Sequence, residues 1–207
     1  MPLTIMAGGS RLAVVDGYST PEPAANMVEI FSGGMDDGSN QVNIPFPFYI
    51  NGNGHTAWHP GSNSYLLTGS SSFYNSLSLG PNPHPPLSGF HFGAADNSIQ
   101  RLCIQDVPSK GLFRIRYEGT ASSGGSLNNP NIIWVATLFD KGGDNKQYLE
   151  VAFGIHNRTL GTFGVTHGYS GGPFVNGGTI TANSSYVFES DASGNNWIIH
   201  PGKKVIY

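Results

Sequence analysis

Ser170 lies in Gly168-Tyr169-Ser170-Gly171-Gly172-Pro173, a G-x-S-x-G pattern that would expose a serine on a tight glycine-lined turn. His59 and Asp96 precede it, so the chain order is His, Asp, Ser. In a hydrolase of that order His59 would take the Ser170 proton while Asp96 orients the ring. Backbone N–H groups beside Ser170 would then stabilise the oxyanion. The surroundings favour a plain glycine loop instead. No strand–turn–helix pattern surrounds Ser170 to build a nucleophile elbow. Such short patterns also arise readily in a chain rich in Gly and Ser. No catalytic residue is assigned.

Metal and ligand chemistry is similarly thin. His55 and His59 are four residues apart, which aligns two ligands on a helix, yet Pro60-Gly61 follows and argues against one. His84 and His91 flank a long polar stretch without the Cys, His or carboxylate spacing of a metal site. Asp140-Lys141-Gly142-Gly143-Asp144-Asn145 lacks the ligand spacing of a calcium loop and reads as a turn. No metal or cofactor is expected. Tyr49, Trp58, Tyr65 and Tyr74, with Phe73 nearby, are the ligand candidates: aromatic rings with neutral Asn and Ser donors form platforms for sugars. The competing reading is that rings at strand spacing simply fill the core. Asn157-Arg158-Thr159 and Asn183-Ser184-Ser185 match glycosylation sequons but have no export signal to give them meaning.

These residues must be held by strands. Charged residues make up 11% of the 207 residues, against roughly 25% in an average globular protein. Their place is taken by 29 Gly, 14 Pro and many Ser and Asn, the residues that make and cap turns. Aromatics at 12% suffice for a core. A net charge of -3 gives no basic face for nucleic acid. The single cysteine, Cys103, excludes an internal disulfide and reads as a buried thiol. Its isolation suits assembly in a reducing cytoplasm. Met1 to Gly9 lacks the basic and long apolar segments of a signal peptide, and no apolar run has the length of a membrane span.

The apolar patterning is that of an all-β chain. Phe113, Ile115 and Tyr117 alternate with Arg114 and Arg116, which would share a solvated strand face. The most apolar run, Ile132 to Phe139, reads as a central strand. It should form an antiparallel hairpin with Gln147 to Gly154. Gln41 to Ile50 carries Pro45 and Pro47 and reads as an edge strand, returning through the Asn51-Gly52-Asn53-Gly54 turn. Ser70 to Pro86 reads as a long surface loop. Many short strands between turns imply an antiparallel β-sandwich of jelly-roll-like type over residues 33–207. Residues 1–32 form an extended N-terminal arm, with Pro21 and Pro23 in its connector. That arm either joins its own sheet or docks on a neighbouring subunit.

Three segments carry a family resemblance. Phe92-Gly93-Ala94-Ala95-Asp96-Asn97-Ser98, Phe113-Arg114-Ile115-Arg116-Tyr117-Glu118-Gly119 and Asn129-Pro130-Asn131-Ile132-Ile133-Trp134 resemble virion structural proteins of tailed, marine cyanophage-type phages. The likeness runs from about Asp36 to His156. A more distant one, to nidogen-type extracellular β-domains, rests on Asp36-Asp37-Gly38-Ser39, Ile44 to Tyr49 and Ser62 to Leu66. The Ser170 segment is also similar to the nucleophile segment of chymotrypsin-like serine hydrolases. There, however, Tyr169 replaces an acidic residue, and Trp58-His59-Pro60 departs from the histidine context. The phage resemblance implies a virion protein assembled in the host cytoplasm, in capsid decoration, tail or fibre. Its partners would be copies of itself and other virion proteins, with no nucleic acid and no membrane. Its work would be contact, not catalysis, and the alternative on the same particle is a glycan- or receptor-binding adhesion module.

Overall fold

A computed structural model describes residues 12–36, 38–69, 88–94, 97–121, 130–140, 146–156, 162–166 and 174–206. Fifteen strands run through them in chain order: β1 (Ala13–Asp16), β2 (Val28–Met35), β3 (Val42–Ile50), β4 (Asn53–Gly61), β5 (Tyr65–Leu67), β6 (Gly89–Ala94), β7 (Asn97–Val107) and β8 (Leu112–Ala121). The remainder are β9 (Ile132–Phe139), β10 (Lys146–His156), β11 (Thr162–Thr166), β12 (Phe174–Asn176), β13 (Ser184–Asp191), β14 (Trp197–Pro201) and β15 (Lys203–Ile206). Two 3-10 turns, Ala24–Asn26 and Pro108–Lys110, are the helical segments among the described residues. No helix there is long and apolar enough to cross a membrane.

Every pairing is antiparallel, and two sheets pack face to face as a sandwich. The seven-stranded sheet has the order β14-β13-β10-β9-β8-β7-β2 and the six-stranded sheet β12-β11-β6-β5-β4-β3. Each is a meander of sequence neighbours, extended by strands that return from the other layer. β9 occupies the middle of the larger sheet, as its unbroken apolar sequence requires. Its hairpin with β10 pairs Leu138 with Leu149 and Trp134 with Phe153.

β3 is an edge strand because Pro45 and Pro47 cannot donate to a ladder. Both prolines are exposed while Ile44, Phe46 and Phe48 between and beside them are buried. Its turn into β4 uses Asn51 and Gly52, both at positive φ (52° and 77°), which matches the twist of a tight hairpin.

The core between the sheets is aromatic. Trp134 stacks on Tyr117 at 5.0 Å and meets Phe92 edge-on at 4.7 Å. Phe90 contacts Trp58 within its own sheet and meets Phe188 and Trp197 across the layers. Such ring pairs add to area burial because edge and face carry opposite partial charge.

A two-stranded sheet of β1 and β15 covers part of the outer face of the larger sheet. Val14 and Val205 join Leu112, Phe139, Tyr148 and Val187 in a second, smaller apolar cluster. Between β1 and β2 the chain crosses this outer face as a strap: Ser19 N–H donates to Ser185 Oγ (3.0 Å), and Arg116 Nη1 donates to Glu22 O (2.9 Å). β2 then pairs with β7 at the sheet edge. Over its described part the N-terminal arm is thus extended and laid on its own domain, and the 32/33 boundary falls inside β2.

Candidate functional site

Ser170 and Asp96 of the hydrolase pattern lie outside the described residues, as do Tyr74, Phe73, His84, Asn157 and the turn residues 141–145. His59 is on β4 opposite Leu67, and its buried Nδ1 has no hydrogen-bond partner among the described residues. His55 points to the same side of β4, but four residues of strand separate the two by roughly 13 Å. Desolvation lowers the pKa of both. His91 sits on β6 opposite Tyr65, and burial pulls it down to about 4. No group of three or more His, Cys, Asp or Glu able to hold a metal occurs among the described residues.

Of the rings proposed for an aromatic platform, Tyr74 lies outside the described residues, and Trp58 and Tyr65 are buried. Trp58 belongs to the main core, with its indole N–H on His55 O at 3.2 Å. Tyr65 is buried too, its ring laid over Gly61, where any Cβ would fall 2.0 Å from the ring. Tyr49 is half-buried, and its backbone is held by Gln147. Alternation alone could not show that Tyr65 and Leu67, on the outward face of β5, are themselves buried.

Other sequence-nominated groups have structural work. Asn183 is a turn residue at φ 55°, and Ser185 of that sequon is buried, donating to Lys203 O at 2.9 Å. Asp140 N–H donates to Gly111 O at 2.8 Å, closing the end of the β8–β9 pair. Cys103 is buried, and desolvation raises its thiol pKa. Arg114 and Arg116 depart from expectation: the strap crosses their face, so it is not solvated. Arg116 and Arg101 clamp the buried Glu118 at 2.7 Å each. Arg114 reaches Gln105 Oε1 at 2.6 Å and Glu22 at 3.5 Å.

Two features stand out once the strands are in place. The first is the outer edge of the larger sheet at β2. Val28 is 66% exposed and Ile30 39%, with Glu29 between them. At the opposite edge Ile198 of β14 is 57% exposed. The second is a cavity of about 180 Å³ under the strap, lined by Ser19, Thr20, Glu22, Arg114, Thr137 and Glu150 together with Val135, Phe139, Ala152 and Val205. Glu150 is buried there and accepts a hydrogen bond from Val205 N–H at 2.7 Å. Desolvation pushes its carboxyl above the ordinary range, opposed by hydrogen bonds from Ser19 and Val205 and by the charges of Arg114 and Lys204.

Neither feature was singled out from sequence. Val28 and Ile30 lie in an apolar run that reads as an ordinary strand. Glu150 occupies one alternate position in β10, and its partners come from β8, β9, β15 and the strap. No family model, curated protein or solved structure matches the chain.

Proposed function

We propose that the chain is a structural protein of a tailed-phage particle, a capsid-decorating, tail or fibre component. It acts through contacts with copies of itself and other virion proteins rather than through catalysis. The observation that carries this reading is the apolar edge at β2. Sheet edges attract further strands, and proteins that stay apart guard them with lysines, prolines or covering loops. β3 follows that rule with Pro45 and Pro47, whereas β2 offers Val28 and Ile30 around a single charge, Glu29. An edge of this kind gains backbone hydrogen bonds and apolar burial when a neighbour pairs with it. Ile198 at the far edge of the same sheet gives a second adhesive strand, so neighbours can join head to tail. The low charge of the chain suits a surface that is covered in an assembly, and the resemblance to virion structural proteins supplies the particle as the setting.

Sedimentation velocity across a concentration series tests the contact, and labelled antibody on purified particles tests the setting. Association that rises with concentration is expected, and Val28→Lys combined with Ile30→Lys should abolish it without loss of fold. A monomer at every concentration, or particles that carry no copy of the chain, would overturn the reading.

A further inference from the structure

Residues 12–27 lie on the domain without entering it. None of them is buried, whereas Leu112, Phe139, Tyr148 and Val187 beneath β1 and β15 are at most 3% exposed. Leu12 and Val14 are the arm's apolar contribution to that cluster. The other attachments are polar: the β1–β15 ladder, Gly17 N–H to Gly202 O at 3.1 Å, Ser19 N–H to Ser185 Oγ, Arg116 to Glu22 O, and Gln105 Nε2 to Asn26 O at 3.1 Å. Such contacts exchange for water at modest net cost, so the arm belongs to the elements that open most easily. Opening uncovers part of the apolar cluster, which then needs a β1 strand again, from this chain or from another copy.

The strap follows one cross-strand row of the larger sheet. Glu29, Cys103, Arg116, Val135, Ala152 and Ser185 are successive partners from β2 to β13. Ser19 is held at the Ser185 end of this row and Glu22 over Arg116. The five strand spacings from β2 to β13 measure roughly 24 Å, which the chain from Ser19 to Val28 covers in a nearly extended form. Each pairing from β14 to β2 is antiparallel, so these two edge strands run in the same direction. Copies joined head to tail therefore set β14 of one parallel to β2 of the next, outer faces on one side. With Ile198 level with Glu29, both on the outer face, the whole of β14 lies along β2. The Ser185 position of that neighbour then stands two spacings across and about five residues along from Val28, roughly 20 Å away. The landing site on a neighbour is thus no farther than the arm's own.

The edges alone make a thin contact. β14 has 5 residues and β2 has 8, against about 20–30 residues on each side of a stable interface. We propose that the arm is exchanged in the assembly: β1 and the strap of one copy cover β15 and Ser185 of the next, so the partner of this surface is a second copy of the chain. This inference rests on the edge contact put forward above. Exchange keeps every contact of the arm, merely made to another copy, and adds residues 12–27 to the interface.

Disulfide trapping in the full chain tests this. Asp16 and Lys203 are partners in the β1–β15 ladder, and their side chains meet at the surface. Asp16→Cys combined with Lys203→Cys can therefore bond without disturbing the core, while Cys103 is buried. Oxidation of the dilute monomer is expected to close each chain on itself. Oxidation at a concentration where sedimentation shows oligomers is expected to link most chains in series, giving a ladder on a denaturing gel that collapses on reduction. A mixture of chains carrying Asp16→Cys alone with chains carrying Lys203→Cys alone can bond only between copies, and its mixed dimer is expected by mass spectrometry. Oligomers whose chains all run as monomers after oxidation, with no mixed dimer, would overturn exchange and leave the edge contact standing. Absence of oligomers at every concentration would remove the edge contact, and exchange with it.

Discussion

The side-chain amide of Gln147 pairs with the backbone of Tyr49: Tyr49 N–H donates to Gln147 Oε1 at 2.9 Å, and Gln147 Nε2 donates to Tyr49 O at 2.5 Å. Gln147 belongs to β10 of the larger sheet and Tyr49 to β3 of the smaller one. A side chain thus mimics a neighbouring strand and ties the two layers at one end. Gln147 is only 1% exposed, so neither group can turn to water. Gln147→Leu leaves both Tyr49 groups unpaired and is expected to cost about 2–4 kcal/mol. Urea denaturation measures it, and a loss below about 0.5 kcal/mol would contradict the pairing.

The β13–β14 turn closes the same end. Gly194 O and Ser193 O accept from Asn51 N–H and Gly52 N–H at 3.0 and 2.9 Å. Gly194 has φ +72°, and a Cβ there would sit 2.1 Å from Tyr49 O. Gly52 has φ +77° with nothing within 4 Å. Gly194→Ala is therefore expected to cost more than about 3 kcal/mol, from clash and strain together. Gly52→Ala should cost only about 1 kcal/mol, from backbone strain alone. Thermal melts of the two variants check the ranking.

Ser64 is a non-glycine residue at φ +64° inside the protein. Its Oγ accepts from the Trp134 indole N–H at 2.8 Å and donates to Phe92 O at 3.0 Å. Ser64→Gly relieves the backbone but orphans the indole, as does Ser64→Ala without the relief. Both are expected to destabilise, Ser64→Ala by about 2–3 kcal/mol and Ser64→Gly by less. Equilibrium denaturation followed by Trp fluorescence checks both the order and the sign.

Acid should weaken the fold through its histidines. Burial holds His91 down to about 4, against an ordinary value of 6.5, and lowers His55, His59 and His156 in the same direction. Between roughly pH 6.5 and 4 the unfolded chain binds protons that the folded chain refuses. Stability is thus fully present above that window and falls as pH drops through it. His91→Phe is expected to remove part of the slope, on the order of 1–3 kcal/mol across the window. Denaturation midpoints at half-unit pH steps would show it, and parallel slopes for the two proteins would refute it.

Much of the architecture was legible in the residues themselves. Turn chemistry placed the Asn51-Gly52 hairpin, prolines placed β3 at an edge, and unbroken apolar character placed β9 in the middle. The inward face of Phe113, Ile115 and Tyr117 followed from period-2 alternation. These are local properties, written within ten residues of one another, and the all-β sandwich follows from their sum.

What tertiary structure alone decided is which outward faces are covered. Alternation separates two faces of a strand but does not say that a strap from residues 17–27 will lie across Arg114 and Arg116. Nor does it say that Tyr65, on the opposite face of β5 from the core residue Leu66, will be enclosed. Arg114, Thr137 and Glu150 are far apart in the chain and become one row only through the register of β8, β9 and β10. Register and coverage depend on contacts between distant segments, which no stretch of sequence encodes by itself.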